Sequence, residues 1–214
     1  DLPIELIAQK PPQKRGQSRL LVVDRKNKTL LHDIFSNLSQ YLNFRPLMVF
    51  NNTQVIPAKI FGFLPHNGKI VEMILVRPIS SSTWEVLIKG KIKPETKLVF
   101  SESRLTGKFI KRNGEYAVIE FSPQSVLESH LKNHGRMPLP PYISRKKDDS
   151  PFTGKEDKVR YQTVYASQSG AIAAPTAGLH FTKTHLKKLK AKQIEMACLT
   201  LHVGPGTFKP IRTE

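Results

Sequence analysis

Two Asn-Gly pairs, Asn67-Gly68 and Asn113-Gly114, lie between short apolar runs, and they constrain the fold more than any other feature of the chain. Asn-Gly accepts the positive φ values of a tight hairpin turn, so each pair predicts two antiparallel strands joined locally. Runs at 61–64 and 70–76 flank the first pair, and runs at 107–111 and 116–121 flank the second. Two more runs, 84–89 and 97–100, lie between them. Six short strands within about sixty residues predict a small β-barrel or sandwich. The texture on either side differs. Residues 19–24 (RLLVVD) read as a strand, 32–42 carry Phe35, Leu38 and Leu42 at helical spacing, and 47–50 read as a buried strand. Further on, 124–134 predict a short helix and 136–143 (RMPLPPYI) a stiff extended connector. Residues 144–158 are polar and charged and read as an exposed loop. A helix is predicted over 183–192 with Thr182 as N-cap, followed by a buried strand within the apolar run 194–203. The expected fold class is an α/β main domain with a mixed sheet, built from residues 1–57 and 144–214, interrupted by an inserted small β-barrel domain at 58–143.

Composition bounds the partners. Lys and Arg number 34 against 17 Asp and Glu, a formal net charge of +17 spread along the chain. Such an excess attracts a polyanion, and nucleic acid is the commonest; a merely Lys-rich solvated surface is the plainer alternative. Cys198 is the only cysteine, which excludes an intrachain disulfide framework and a cysteine-based zinc site and fits a reducing cytosol. Its apolar setting, MACLTLHV, predicts a buried strand residue, not a nucleophile. No apolar run approaches the ~18 residues of a membrane span. The start, DLPIELIAQKP, has no signal-peptide character and no initiator Met, so the chain is expected to begin inside its gene product and to be cytoplasmic.

Two late blocks carry the chemistry: GAIAAPTAGLHFT at 170–182 and TLHVGPGTF at 200–208. Gly allows close backbone approach, Pro stiffens the loop, Thr offers hydroxyls, and each block holds one histidine, a group that titrates near neutrality. The mixture reads as the wall of a small-molecule pocket, and the His180 and His202 segments are expected to fold together into that single cavity. His180 and His202 are each either a satisfied structural residue or a catalytic group. Neither sits in HExxH-like spacing, so no metal is expected. In 157–166 (DKVRYQTVYA), Arg160 offers a fork for carboxylate or phosphate, and Tyr161 and Tyr165 offer stacking surfaces; a core segment with Arg160 in a surface ion pair is the competing reading. The polar loop at 51–59 follows a strand end, a favoured ligand position in open α/β sheets. Lys183, Lys187 and Lys190 share one side of the predicted helix, with no acid from 183 to 192. They form either a solvated face or a landing surface for RNA phosphates. There is no Walker A pattern and no GxGxxG; HVGPGTF lacks the third Gly and a following long helix, so a Rossmann site is not supported.

Six blocks occur together and in order: SRLLVVDR (18–25), NNTQVIPAKIFG (51–62), RMPLPPYI (136–143), RYQTVYA (160–166), and the two late blocks, the second extended to 211. In these the chain closely resembles the S-adenosylmethionine:tRNA ribosyltransferase-isomerase family of queuosine biosynthesis. The resemblance implies transfer and isomerisation of the ribosyl part of S-adenosylmethionine onto 7-aminomethyl-7-deazaguanine in tRNA, forming epoxyqueuosine and releasing adenine and methionine. It implies S-adenosylmethionine as substrate with no prosthetic group, tRNA as partner, and an α/β domain with an inserted barrel; a monomer is expected. The resemblance settles no general base, and His180 and His202 are the residues expected in catalysis. Thr176, Gly178, Gly204, Thr207, Arg160, Tyr161, Gln162, Asn52 and Thr53 fall at the substrates, and Lys183, Lys187 and Lys190 at the RNA.

The chain departs from the family pattern in places. Asn51-Asn52-Thr53-Gln54 stands where the family usually shows Asn-Asp-Thr-Arg, Lys59 stands for Arg, and Val159 for an acid. The family also continues beyond the position of Glu214 with motifs bearing His, Glu, Arg and Ser. The chain is therefore expected to lack part of the active site and of the main sheet.

Overall fold

A computed structural model describes residues 3–42, 46–90, 92–145 and 154–208. The described residues within 1–55, 141–145 and 159–203 form one unit, and those within 56–140, 154–158 and 204–208 the other. In chain order the strands are Arg19–Asp24 (β1), Thr29–Ile34 (β2), Leu47–Asn51 (β3), Thr53–Val55 (β4), Lys59–Phe63 (β5), Ile70–Pro78 (β6), Thr83–Ile88 (β7), Lys97–Val99 (β8), Thr106–Asn113 (β9) and Tyr116–Ser122 (β10). Helices Gln124–His134 (α1) and Lys155–Arg160 (α2) follow, then Gln168–Ala171 (β11), helix Lys183–Ala191 (α3) and Glu195–Leu199 (β12).

In the second unit β5–β10 form a closed six-stranded antiparallel barrel in the order β10-β7-β6-β5-β8-β9. The two hairpin turns stand where the Asn-Gly pairs predict them, with Gly68 at φ +65° and Gly114 at φ +58°. Burial alternates along β5 and β6, as a strand with one face inward requires. The interior holds Ile60, Met73, Leu75, Val86, Leu98, Phe109, Ile119 and Phe121. Gly62 and Gly107 make room for the Phe100 ring, since a Cβ on either would stand 3.3 Å from it. Helix α1 occupies the span its pattern predicts and buries Leu127 and His130. The connector after α1 makes an antiparallel bridge between Arg136 and Lys59.

The first unit holds three separate strand pairs: β1-β2 antiparallel, β4-β11 parallel and β3-β12 parallel. Several expectations are corrected here. Residues 32–42 are not one α-helix. His32–Ile34 complete β2 against β1, leaving a six-residue 3₁₀ turn, Phe35–Gln40. Asp33 drives the change: its carboxylate accepts from Ile34 N, Asn37 Nδ2 and Tyr41 OH, a local network that competes with helix bonding. The strand within 194–203 is short and largely exposed, and Cys198 is exposed, not buried. In β3 only Phe50 is buried, while Leu47 and Val49 are exposed. The reason is shared: among the described residues β3 and β12 pair only with each other. The apolar centre of this unit is instead Phe50, Phe181, Leu189 and Ile194, with Phe35 and Tyr165 packed edge-on. Helix α3 starts as expected: Thr182 Oγ1 accepts from His185 N at 3.1 Å, and Thr182 N donates back to His185 Nδ1. The loop read over 144–158 lies mostly outside the described residues, and its end is corrected: residues 155–158 open helix α2. No helix among the described residues is long and apolar enough to cross a membrane.

Candidate functional site

The parallel strands β3 and β12 end side by side, and their chain continuations build a polar cluster within the first unit. Asn51 is its clamp. Its Oδ1 accepts from the backbone N–H of Thr53 and of Leu201, both at 3.1 Å, and its Nδ2 donates to Leu201 O at 2.8 Å. Asn52 carries the crossing from β3 to β4. Its backbone N–H donates to Leu199 O, its carbonyl accepts from the N–H groups of Ser167 and Gln168, and its Oδ1 accepts from Thr200 Oγ1 at 2.7 Å. One residue on, Thr53 turns its hydroxyl inward to His202 Nδ1 at 2.7 Å. Ile172 N and Ala173 N both donate to Val203 O, tying the two late blocks together. Gly170 lies beneath His202: its φ of +150° suits only glycine, and a Cβ there would stand 2.9 Å from ring atoms Cε1 and Nε2.

His180 has a separate setting. Its Nδ1 lies 3.1 Å from Ser18 Oγ, and its ring packs on Phe35 with centroids 5.1 Å apart. Burial lowers its pKa, so the neutral ring is favoured. Beside it Arg15 donates to the carbonyls of Leu179, Val159 and Arg160. Burial and then the neighbouring Arg160 charge lower the pKa of that guanidinium.

The remaining expected residues fall as follows. Arg160 donates to the carbonyls of Gln13 and Pro12. Tyr161 is buried, and burial raises its pKa. Gln162 accepts from Val55 N and donates to Val55 O, capping the edge of β4 as a strand would. Thr176 is exposed on the 3₁₀ turn Thr176–His180, and Gly178 is buried, with a Cβ there blocked by the Tyr165 hydroxyl and Thr163. Burial, and then the Cys198 neighbour, pushes the Tyr165 hydroxyl up to about 12. Gly204 and Thr207 are exposed and group with the second unit. Lys183, Lys187 and Lys190 are all exposed along α3.

The structure thus gathers Asn52, Thr53 and His202. His180 keeps its own partners, Ser18 and Phe35. Asn51, Gly170 and Thr200 were not singled out by sequence reasoning, although each stands inside or at the edge of a block that was. A shallow groove lined by Phe35, Leu38, Phe181, His185 and Leu189 shares no residue with the His202 cluster. Among the described residues no three His, Cys, Asp or Glu side chains converge as a metal site would require.

A family model described as "Queuosine biosynthesis protein" matches residues 1–214. An S-adenosylmethionine:tRNA ribosyltransferase-isomerase from Carboxydothermus hydrogenoformans is 45% identical over 215 residues, covering 100% of this chain and 61% of that protein. Enzymes of the same name from a Sulfurihydrogenibium species and from Clostridioides difficile are each 42% identical, with 62% and 61% of their lengths covered. A crystal structure of S-adenosylmethionine tRNA ribosyltransferase from Thermotoga maritima matches 95% of this chain and 57% of that one, at 28% identity and a TM-score of 0.37. The chain spans about three fifths of the length of the curated relatives it matches.

Proposed function

This chain belongs to the queuosine biosynthesis protein family, and from that premise we propose that the protein containing it is an S-adenosylmethionine:tRNA ribosyltransferase-isomerase. The observation that carries the proposal is the 42–45% identity, over the whole chain, to relatives bearing that name. The reaction moves the ribosyl part of S-adenosylmethionine onto the aminomethyl nitrogen of 7-aminomethyl-7-deazaguanine at the wobble position of a tRNA. Epoxyqueuosine forms, and adenine and methionine leave. S-adenosylmethionine is consumed as a substrate, and no prosthetic group takes part.

The chemistry sets out what the residues must do. The C5′ proton beside a sulfonium is acidic, and a base within about 3 Å removes it. The resulting ylide expels adenine, the aminomethyl nitrogen attacks, and ring closure releases methionine. The steps need one group that takes a proton and another that donates toward the departing adenine. We place His180 and His202 in these roles. Burial lowers the His180 pKa and so favours the neutral ring, the state a proton acceptor needs. Asn52 and His202 offer polar groups to the donor nucleoside with Thr53 holding His202 from the interior, Thr176 is a further contact, and Gly178 shapes the turn that carries it. Arg160, Tyr161 and Gln162 act from behind these groups as the frame. The exposed Lys183, Lys187 and Lys190 give α3 a cationic face for tRNA phosphates. We also read the barrel as an insertion into the chain of an α/β domain, and the protein as cytoplasmic and monomeric.

The test is adenine release. Full-length protein is incubated with S-adenosylmethionine and a tRNA carrying aminomethyl-deazaguanine. Adenine that appears only with the modified tRNA supports the reading. Salt-sensitive tRNA binding without adenine overturns it in favour of a basic RNA-binding protein.

A further inference from the structure

The Thr53 side chain is wholly buried, and its hydroxyl has one partner among the described residues, His202 Nδ1 at 2.7 Å. A hydroxyl has one proton to give and lone pairs to receive. Were the imidazole proton on Nδ1, Oγ1 would accept it, and the hydroxyl proton would be left inside the protein without an acceptor. Buried donors are seldom left in that state. Donation from Oγ1 to Nδ1 satisfies both atoms and sends the ring proton to Nε2, the tautomer that this hydrogen-bond accounting selects. The alignment is built from three chain segments. Asn51 Oδ1 holds Thr53 N, Asn51 also grips Leu201 on both backbone atoms, and Gly170 leaves the space across which the ring edge lies. His202 itself is exposed, and Nε2 has no partner among the described residues.

We propose that Thr53 is a positioning residue that selects the Nε2–H tautomer of His202, so that His202 meets its ligand as a hydrogen-bond donor and not as a proton acceptor. The group it recognises is an acceptor, either a ribose hydroxyl oxygen or an unprotonated ring nitrogen of a nucleoside. That clause rests on the donor-nucleoside reading above; the tautomer does not. Removal of the C5′ proton then falls to a different group.

The experiment is a long-range proton–nitrogen correlation of the imidazoles in nitrogen-15-labelled full-length protein, with the His202 signals identified by their loss in His202→Gln. A pyridine-type Nδ1 and a pyrrole-type Nε2 are expected. Thr53→Ser keeps this pattern, whereas Thr53→Val, close to Thr in volume, gives the averaged pattern of mixed tautomers. A protonated Nδ1 in the unaltered protein overturns the proposal without recourse to any variant, and so does an unchanged pattern in a folded Thr53→Val. Titration with S-adenosylmethionine should move the Nε2–H resonance while Nδ1 stays unprotonated. Binding seen by calorimetry with Nε2–H unmoved overturns the ligand half. No binding at all overturns the donor-nucleoside reading while the tautomer result stands.

Discussion

In the barrel, Ile60, Met73, Leu75, Val86 and Ile119 are wholly enclosed, and the two Asn-Gly hairpins join neighbouring strands through short turns. Around His202 the chain is held by side-chain amides and hydroxyls reaching across about 150 residues: Asn51 to Leu201, Asn52 to Thr200, Thr53 to His202. The first region is stabilised by apolar area removed from water, a non-directional gain spread over many residues. The second depends on a few directional bonds, each of modest net worth. Stability and site geometry should therefore respond to different substitutions.

The largest effect is expected from the barrel interior. Met73→Ala removes a fully buried side chain and should destabilise the protein by about 2–5 kcal/mol in denaturant unfolding. A loss under about 1 kcal/mol would mean that the core re-closes and the contrast is overdrawn.

Acid separates the regions next. His130 is buried in the barrel against Phe100 and His134, and desolvation, then the His134 charge, hold its pKa down at about 4 against the ordinary 6.5. His134 in turn faces Glu102 at 3.5 Å. Between these two pH values the unfolded chain binds the proton that the folded barrel refuses. Stability is therefore complete above about pH 6.5, falls as pH drops toward 4, and levels off below it, for a total of about 3 kcal/mol at most. His130→Leu should flatten that part of a plot of unfolding free energy against pH. An unflattened profile would assign the acid loss elsewhere.

Gly170→Ala tests the cluster. It combines a φ that alanine tolerates poorly with a contact of 2.9 Å to the His202 ring. The expected cost is about 1–3 kcal/mol, with a displaced His202 signal in NMR spectra and barrel resonances unchanged. Spread of the shifts into the barrel would erase the distinction between the regions.

The smallest effect belongs to Asn52→Asp, which restores the residue usual in the family. Thr200 Oγ1 donates to Asn52 Oδ1, and a carboxylate accepts equally well. Stability should stay within about 0.5 kcal/mol, whereas Asn52→Ala should cost about 1 kcal/mol. Equal losses in the two variants would show that the acceptor is not what Thr200 needs.

Legibility divides along the same line. The Asn-Gly turns, the alternation along β5 and β6, the span of α1 and the Thr182 cap are local signals, and the structure carries each of them. The two late blocks also stand out in the sequence and read as one cavity wall; their backbones do meet at Val203, while their two histidines take separate partners. The apolar run around Cys198 reads as a buried strand, yet burial depends on which strands flank it, and among the described residues β12 pairs only with β3. Likewise His180 and His202 look equivalent in sequence, and only the structure gives one to Ser18 and Phe35 and the other to Thr53.

The residue order by itself determined that this chain makes a hairpin-built barrel, caps a Lys-rich helix, and carries the motif set of its family. Tertiary structure alone decided that Thr53 meets His202, that Gly170 makes room for the ring, and that Arg15 binds the carbonyls next to His180. The periodicity of a strand or the conformation of a turn is written within a few neighbouring residues. Contacts across 149 or 164 positions exist only after parallel strands have chosen their partners, and no local pattern records that choice.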